Sequence, residues 1–320
     1  MADQNPSIYE TSPYKLLGIV HNSDDTLTRL LKFPSSSITP DNSSFIKDIP
    51  LNATNNTWLR VFRPIELLLD QKLPVILYFH GGGFILCSAS STMFHDNCVS
   101  MANRFPAIIV SVEYRLAPES RLPGAYEDGM EALDWVQKQA VDENGEKWLK
   151  DSADFSKVFV MGCSSGGNIA YHVGLRALSL KLSPLIIKGL IINQPYFGGL
   201  KRTQSELNLV NDKVLPLNMT DLMWELALPK GSDRNHEYCY PMVEGSSLED
   251  KIGLLGRCFV SVRGKDPLMD RQKEFVEMLV RKGVDVVHWF EPEGCHGMEI
   301  LGQEHALPLH LEIKKFIYSV

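Results

Sequence analysis

The chain has 320 residues, and 44% of them are apolar, which is enough for a sizeable buried core in one large α/β domain or two small ones. The 32 basic and 39 acidic residues give a formal charge of -7 without a long run of one sign, which disfavours nucleic acid as a partner. The N-terminus lacks a signal-peptide pattern and no apolar span reaches membrane length, so we expect a cytoplasmic protein with no membrane partner.

Short apolar runs alternate with amphipathic segments along most of the chain. The first 50 or so residues are polar and rich in turn residues, and we interpret them as a leader packed onto a sheet. Patterns typical of strands cover residues 57–62, 73–79, 107–112, 158–161, 186–193, 258–262 and 284–290. Helical patterns cover residues 127–139, 169–178, 271–282 and about 308–318. This alternation predicts an α/β fold with a mostly parallel sheet flanked by helices.

The segment from Leu200 to Gly245 interrupts the alternation. It carries a short amphipathic helical pattern at residues 221–228, between loops that contain proline. An insertion of this kind between core strands predicts a cap over a site. We therefore expect one catalytic domain with a cap, not two independent domains.

A serine flanked by glycines follows one of the apolar runs, in the string Gly162-Cys163-Ser164-Ser165-Gly166. A serine on a sharp strand-to-helix turn has a strained backbone, and side chains two positions away on either side would collide with the turn. Only Ser164 has glycine at both positions, so it is the predicted nucleophile. By itself the pattern also fits an ordinary structural turn.

A run of three glycines, H-G-G-G-F at residues 80–84, directly follows the apolar run 73–79. Its backbone N–H groups, with that of Ser165, could hold the oxyanion of an acyl transfer, and one such donor contributes roughly 3 kcal/mol. A phosphate loop would need a G-K-[ST] ending, which this run lacks. We interpret His80 as a structural residue that orients the loop.

An attacking serine needs a base, and the base needs an acid that holds its tautomer. Asp266 lies just past a predicted strand, whereas its competitor Asp270 begins a predicted helix and suits N-terminal capping. His296 lies in a glycine-flanked loop after the last predicted strand, and we interpret the other histidines as structural. The six cysteines form no CxxC pair, so they indicate buried thiols and no metal site or disulfide framework. Neither Cys163 nor Cys295 has a basic neighbourhood that would favour a thiolate.

Five motifs occur in order: H-G-G-G-F, E-Y-R-L-A-P-E at residues 113–119, G-x-S-x-G-G-N, D-P-L-x-D and a late histidine. With them the chain resembles, from about Leu27 to Phe316, the plant carboxylesterases in the hormone-sensitive-lipase-like branch of the α/β-hydrolases. The resemblance implies a single α/β-hydrolase domain over residues 1–320 with an eight-stranded sheet. It also implies a helical cap formed by about residues 1–45 and about residues 200–245.

The resemblance assigns roles to individual residues. It implies that Ser164, Asp266 and His296 form a catalytic triad. It also implies that Gly82, Gly83 and Ser165 form the oxyanion hole. The E-Y-R-L-A-P-E stretch is a structural turn in the family, so Arg115 and Glu119 are not assigned to catalysis. One departure is Cys163, which stands where the family usually has an acidic residue.

The implied activity is hydrolysis of short-acyl esters, such as acetates, of small plant metabolites through an acyl-enzyme. No cofactor and no metal is expected, and the chain is expected to be a monomer or weak homodimer. We expect Phe84, Ile85 and Leu86 to form an acyl wall and Trp224 to shape the alcohol side. The alternatives are a dehydratase or cyclase of specialised metabolism, and a gibberellin-like receptor. The complete triad argues against the receptor.

Overall fold

The structure is a computed structural model that describes residues 12–24, 26–42, 45–66 and 71–319. Within these residues the strands are β1 (Ile19–His21), β2 (Leu27–Arg29), β3 (Ile46–Asn52), β4 (Thr57–Phe62), β5 (Leu73–Phe79), β6 (Ile108–Glu113), β7 (Ala153–Cys163), β8 (Ile187–Asn193), β9 (Arg257–Lys265) and β10 (Val286–Cys295). The helices are α1 (Pro13–Leu17), α2 (Thr92–Arg104), α3 (Gly124–Val141), α4 (Lys147–Ser152), α5 (Ser165–Ala177), α6 (Gln204–Asn208), α7 (Leu217–Ala227), α8 (Glu249–Ile252), α9 (Met269–Arg281) and α10 (Gln303–Tyr318). A short 3₁₀ helix covers Met298–Ile300.

The strands β3 to β10 form one sheet in the order β10-β9-β8-β7-β5-β6-β4-β3. The pairs from β10 across to β6 are parallel, whereas β4 runs antiparallel to both of its neighbours. The predicted eight-stranded, mostly parallel sheet is therefore confirmed. Because β5, β7, β8, β9 and β10 are parallel, their carboxyl ends meet at one edge, where the loops that follow them lie side by side.

Both faces of the sheet are covered, which explains why its central strands are continuous apolar runs. On β5, Val75, Leu77 and Phe79 belong to a core shared with α3 and α5. The intervening Ile76 and Tyr78 belong to a second core shared with α2 and α10. This period of two places the helices in layers on both sides of the sheet.

Strand β3 and helix α2 are among the elements that the sequence patterns did not predict. The edge strand β3 contains Asp48 and Pro50 and is half-exposed along most of its length. Helix α2 buries polar side chains, among them Asn97 and Ser100, on the same face as its apolar ones. Both patterns blur the apolar periodicity by which strands and helices are recognised. In addition, the last helix begins at Gln303 and contains Pro308, where the prediction began it.

The insertion between β8 and β9 contains α6 and α7. Its helix α7 packs against α1, and the Arg121 guanidinium donates to the carbonyls of Glu225 (2.6 Å) and Leu228 (2.9 Å) at the end of α7. Residues 1–11, 25 and 43–44 of the predicted cap lie outside the described residues. The division into one domain with a two-part cap stays a prediction. None of the described helices combines the length and apolar composition needed to cross a bilayer.

Candidate active site

Ser164 occupies the turn between the end of β7 and the start of α5. Its backbone has φ 55° and ψ -119°, a strained conformation for a residue with a side chain. A Cβ added to Gly162 would lie 2.0 Å from the carbonyl oxygen of Gly166, so the turn closes only with glycine there. The N–H of Ser164 donates to the carbonyl of Asn193 at the end of β8 (2.9 Å). The steric reasoning that singled out Ser164 thus corresponds to the local geometry.

His296 lies within hydrogen-bond distance of both Ser164 and Asp266. Ser164 Oγ is 2.9 Å from His296 Nε2, and His296 Nδ1 is 2.7 Å from Asp266 Oδ2. Asp266 directly follows β9 and His296 directly follows β10, so parallel strand ends deliver all three residues to one place. Asp266 is fully buried and also accepts from the N–H of Leu268 and the amide of Gln272, both at 2.8 Å. These two donors fix the orientation of the carboxylate that faces the histidine.

Asp270, the competing acid, serves a different part of the fold. Its Oδ2 accepts the backbone N–H of Ser205 (2.8 Å) in α6, and its own N–H donates to Ser205 Oγ (3.2 Å). The N-cap position of α9 is Leu268, so Asp270 does not cap its own helix as expected. Asp270 instead anchors the insertion to α9.

The loop that carries His296 is held by a residue that the sequence patterns did not single out, Gln194. Its Nε2 donates to the carbonyl of Cys295 (3.2 Å), and its Oε1 accepts the N–H of Gly297 (2.9 Å). The side chain is fully buried and follows the end of β8. Gln194 therefore grips the backbone on both sides of the histidine. A polar residue directly after a buried strand was the available signal.

The charge state of His296 is governed by opposing influences. Burial lowers the pKa of the imidazole, but the charge and hydrogen bond of Asp266, with the charges of Glu299 and Asp212, outweigh it. The net result is a pKa above the usual histidine value. A histidine that readily accepts a proton beside a serine hydroxyl can act as a general base.

The glycine loop after β5 lies against Ser164. Gly82 has φ 118°, and a Cβ there would meet the carbonyl oxygen of Leu86 at 2.2 Å, so only glycine fits. In the described part of the chain, the N–H groups of Gly82 and Gly83 donate to no protein acceptor. The N–H of Ser165 lies in the first turn of α5, where helix N–H groups lack intrahelical acceptors. All three groups are available to a ligand.

The His80 side chain packs under the glycine loop and bonds to its backbone. Its ring is fully buried, lies 4.3 Å from the ring of Tyr114 in a stacked arrangement, and has Nδ1 2.7 Å from the carbonyl oxygen of Gly81. Burial lowers the pKa of His80 to about 4. The neutral ring thus donates from Nδ1 to Gly81 and orients the loop, as expected.

Arg115 and Glu119, in the stretch of residues 113–119, make ion pairs away from Ser164. Arg115 bonds to Asp128 with an N–O distance of 2.7 Å, and Glu119 receives two hydrogen bonds of 2.8 Å from Arg29. Both pairs tie this turn to neighbouring elements. Their structural role agrees with leaving Arg115 and Glu119 out of the site.

An apolar cavity of about 170 Å³ opens beside Ser164 and His296. Its lining comes from the glycine loop, α2, the insertion and the His296 loop: Phe33, Gly81, Gly82, Gly83, Leu86, Cys87, Met93, Phe94, Cys163, Ser164, Val214, Leu215, Met219, Met223, His296, Gly297, Ile300 and Leu301. Among the described residues, the lining contains the imidazole of His296 but no Asp, Glu, Lys or Arg side chain. The site therefore favours an uncharged group next to the serine.

Of the four residues expected to line the pocket, the structure brings only Leu86 to the cavity. Phe84 has a positive φ of 65°, and its buried ring packs 5.5 Å from the ring of Trp224. Trp224 in turn stacks on Tyr196 at 4.7 Å, and Ile85 is fully buried. These three side chains form the core behind the cavity. A chain reversal at Phe84 could not be read from the run of apolar residues.

Two methionines of α7, Met219 and Met223, take the place that Trp224 was expected to fill. Spaced four residues apart, they lie on one face of the helix. The Met223 thioether lies over Gly83, since a Cβ on that glycine would be 2.3 Å from Met223 Sδ. The i, i+4 spacing of the two methionines was a signal in the sequence. Which face of α7 points toward Ser164, however, depends on how the insertion packs against the rest of the domain.

The six cysteines are free thiols in the described structure, and four of them are buried as expected, whereas Cys87 and Cys295 are half-buried. Burial raises the pKa of Cys87 to about 12, and it raises that of Cys163 well above the usual thiol value, with Glu299 adding to the rise. Neither thiol is poised as a thiolate. Among the described residues, no three His, Cys, Asp or Glu side chains are grouped to hold a metal ion.

Comparisons with known proteins show the family to which the chain belongs. A family model described as the α/β hydrolase fold matches residues 76–300. 3-O-acetylpapaveroxine carboxylesterase CXE2 of Papaver somniferum is 49% identical, over 95% of this chain and 99% of that protein. Carboxylesterase 20 of Arabidopsis thaliana is 47% identical, over 96% of this chain and 97% of that protein.

Among solved structures, the Pyrobaculum calidifontis esterase superposes with a TM-score of 0.71 and 26% identity, covering 86% of this chain and 84% of that one. Three observations indicate the same family. They are the sheet order, the position of Ser164 at a strand end, and the near-complete coverage by carboxylesterases that are almost half identical to this chain. This chain belongs to the α/β-hydrolase family and is a carboxylesterase.

Proposed function

We propose that this carboxylesterase hydrolyses short-acyl esters, such as acetates, of small plant metabolites through an acyl-enzyme on Ser164. The observation that carries the proposal is the hydrogen-bonded chain from Ser164 Oγ to His296 Nε2 (2.9 Å) and from His296 Nδ1 to Asp266 (2.7 Å) beside an apolar cavity. His296 takes the hydroxyl proton while Oγ attacks the ester carbonyl carbon. Asp266 stabilises the imidazolium that forms.

The tetrahedral intermediate carries its negative charge on the former carbonyl oxygen. The N–H groups of Gly82, Gly83 and Ser165 act as its donors, assisted by the positive end of the α5 dipole. The intermediate collapses when His296 returns the proton to the leaving alcohol. A water molecule then gives its proton to His296, attacks the acyl carbonyl and releases the acid, and Ser164 regains its proton.

The size and polarity of the cavity support a small, neutral acyl group. A cavity of about 150 Å³ is large enough for a molecule such as benzene, so about 170 Å³ suits a small acyl group. The name of one relative, 3-O-acetylpapaveroxine carboxylesterase, also refers to an acetyl ester. Met219 and Met223 of the insertion line this cavity, so both side chains contact the acyl group in this proposal. The cytoplasmic location and the monomeric or weakly dimeric state stay predictions.

Covalent labelling tests the proposal directly. An organophosphate that mimics the tetrahedral intermediate is expected to inactivate the enzyme and to add one phosphoryl group to the peptide containing Ser164, detected by mass spectrometry. The variant His296→Asn should remain unlabelled on the same time scale, because no base then removes the serine proton. Inactivation with the adduct on another residue, or hydrolysis that continues without any adduct, would contradict the assignment.

The pH profile of kcat/KM reports on His296. The base must be neutral to accept the serine proton, and its pKa in the folded protein lies above the usual value of about 6.5. Activity should therefore be lost as the pH falls through a midpoint above about 6.5. The buried His80 and His172 have lowered pKa values, so they stay neutral across this range. A single acidic limb centred well below pH 6 would argue against His296 as the base.

Met223 is expected to limit the length of the acyl chain. Replacing Met223 by alanine removes the thioether that lies over Gly83 and enlarges the cavity next to the serine. The ratio of kcat/KM for p-nitrophenyl hexanoate to that for the acetate should rise about tenfold. Met130→Ala, on α3 and outside the cavity lining, is the matched control and should leave the ratio unchanged. An unchanged ratio in Met223→Ala would place the acyl group elsewhere.

A further inference from the structure

We propose that Glu299 is a positioning residue of this site, and that Cys163 is its matched donor. Glu299 fastens the loop that carries His296 to the strand end that carries Ser164. The thiol of Cys163 supplies the hydrogen that the Glu299 carboxylate needs at the position before the nucleophile. The inference rests on the proposed function, because it assigns a role relative to Ser164 and His296.

Glu299 lies in the 3₁₀ helix that follows His296 and is only 3% exposed. Its Oε1 accepts from Cys163 Sγ (2.9 Å) and from Asn193 Nδ2 (2.6 Å). Cys163 and Asn193 are paired across β7 and β8, and the Asn193 carbonyl accepts the N–H of Ser164 (2.9 Å). One carboxylate oxygen of Glu299 thus accepts from Cys163, which precedes Ser164. It also accepts from Asn193, whose carbonyl binds the N–H of Ser164.

A buried carboxylate needs a counter-charge, because burying an isolated ion is costly. The guanidinium of Arg263 is fully buried, and its Nη2 lies 3.6 Å from Glu299 Oε2. Arg263 also contacts Glu291 through Nη1. The charge of Glu299 reaches His296 as well, where it adds to the effect of Asp266 in raising the imidazole pKa, together with Asp212. Geometry and charge therefore both link Glu299 to the base.

Cys163 is suited to this carboxylate. Burial raises the pKa of the Cys163 thiol, and the charge and hydrogen bond of Glu299 raise it further, so the thiol keeps its proton and donates. An acidic residue at this position would set a second carboxylate against Glu299. Two like charges at hydrogen-bond distance in a buried site cannot both stay ionised. The uncharged thiol at residue 163 is thus complementary to the acid at residue 299.

The first test compares two carboxamide variants in the full-length enzyme. In Glu299→Gln, kcat for p-nitrophenyl acetate should fall about tenfold while KM changes little, and the acidic limb of the kcat/KM profile should move to lower pH. The matched control is Glu293→Gln, near the end of β10 and three residues before His296, whose side chain is 80% exposed and screened by solvent. The control should keep both kcat and the midpoint. If the two variants behave alike, the inference is wrong.

A second set of variants tests the coupling. Cys163→Asp alone should lose activity. The double variant Cys163→Asp with Glu299→Gln should be about tenfold more active than Cys163→Asp, because the amide then donates to the new carboxylate. Cys163→Ser keeps a donor and Cys163→Val removes it without adding charge, so the serine variant should be about fivefold more active than the valine variant. This pair decides the matter if Glu299→Gln does not fold. Equal activity in the pair, or no recovery in the double variant, overturns the proposal.

The outcomes separate this inference from the proposed function. If Ser164→Ala keeps its esterase activity, the acyl-enzyme itself is wrong. If Ser164→Ala is inactive but Glu299→Gln matches Glu293→Gln in kcat and in pH midpoint, the acyl-enzyme stands and only the positioning role fails.

Discussion

Ser164→Ala is expected to lower kcat for p-nitrophenyl acetate by a factor of about 10⁴ to 10⁶. Alanine has no oxygen to attack the carbonyl carbon and no proton for His296 to remove, so no acyl-enzyme forms. The N–H donors of the glycine loop and the cavity are untouched, which is why a small residual rate over water should survive. Initial rates measured with purified protein over a wide range of enzyme concentration give the factor.

Two observations control this experiment. The thermal unfolding midpoint of Ser164→Ala should stay close to that of the unchanged protein, because only one hydroxyl is removed from a turn whose backbone bond to Asn193 remains. Binding of a non-hydrolysable ester analogue should also persist, since the cavity lining is otherwise the same. A folded variant that hydrolyses the ester within tenfold of the unchanged enzyme would show that another residue is the nucleophile.

Asp266→Asn is the second large effect, with an expected fall in kcat of about 10⁴. Oδ2 of Asp266 faces Nδ1 of His296 at 2.7 Å and also accepts from Gln272. An asparagine amide in this place presents an N–H to Nδ1, which favours the tautomer with the proton on Nε2. In that tautomer Nε2 faces Ser164 as a donor and cannot take its proton. The loss should therefore appear in kcat, with KM nearly unchanged.

The matched control for this variant is Asp270→Asn, in the same D-P-L-x-D stretch. Asp270 bonds to Ser205 in the insertion and not to His296, so its replacement should leave kcat near that of the unchanged enzyme. Equal losses in the two variants would mean that the stretch acts through folding. A large loss in Asp270→Asn alone would reverse the assignment of the acid.

Much of the fold follows from local patterns. The runs at residues 57–62 and 73–79 coincide with β4 and β5 to the residue, because alternation or a continuous apolar run reflects how many faces of a strand are covered. The motif residues Ser164, Asp266 and His296 could be chosen because each follows a strand, and parallel strands end at one edge. Helix α2 was not predicted because its buried polar residues weaken the apolar pattern. Strand β3 was not predicted because its position at the edge of the sheet leaves it half-exposed.

The residues that hold and enclose the site were harder to find. Gln194 and Glu299 act through hydrogen bonds to segments far away in the chain. The position of Gln194 directly after a buried strand was a signal for it, but nothing in the residues around Glu299 marks that side chain. Phe84 and Trp224 looked like pocket residues by their place in the sequence, yet they pack against each other in the core. Their rings are large and apolar, and such side chains are stabilised equally by a pocket wall or by a core.

The sequence by itself determined the elbow around Ser164, the glycine loop and the order of the predicted nucleophile, acid and base. These features depend on steric effects and apolar periodicity within a few neighbouring residues, so each can be recognised from its own segment of the sequence. Only the tertiary structure decided that α2 and α7 enclose the cavity, that Met223 lies over Gly83, and that Cys163 meets Glu299. Those contacts join segments that are remote in the chain, and their distances are set by how the sheet, the insertion and the last loop pack together.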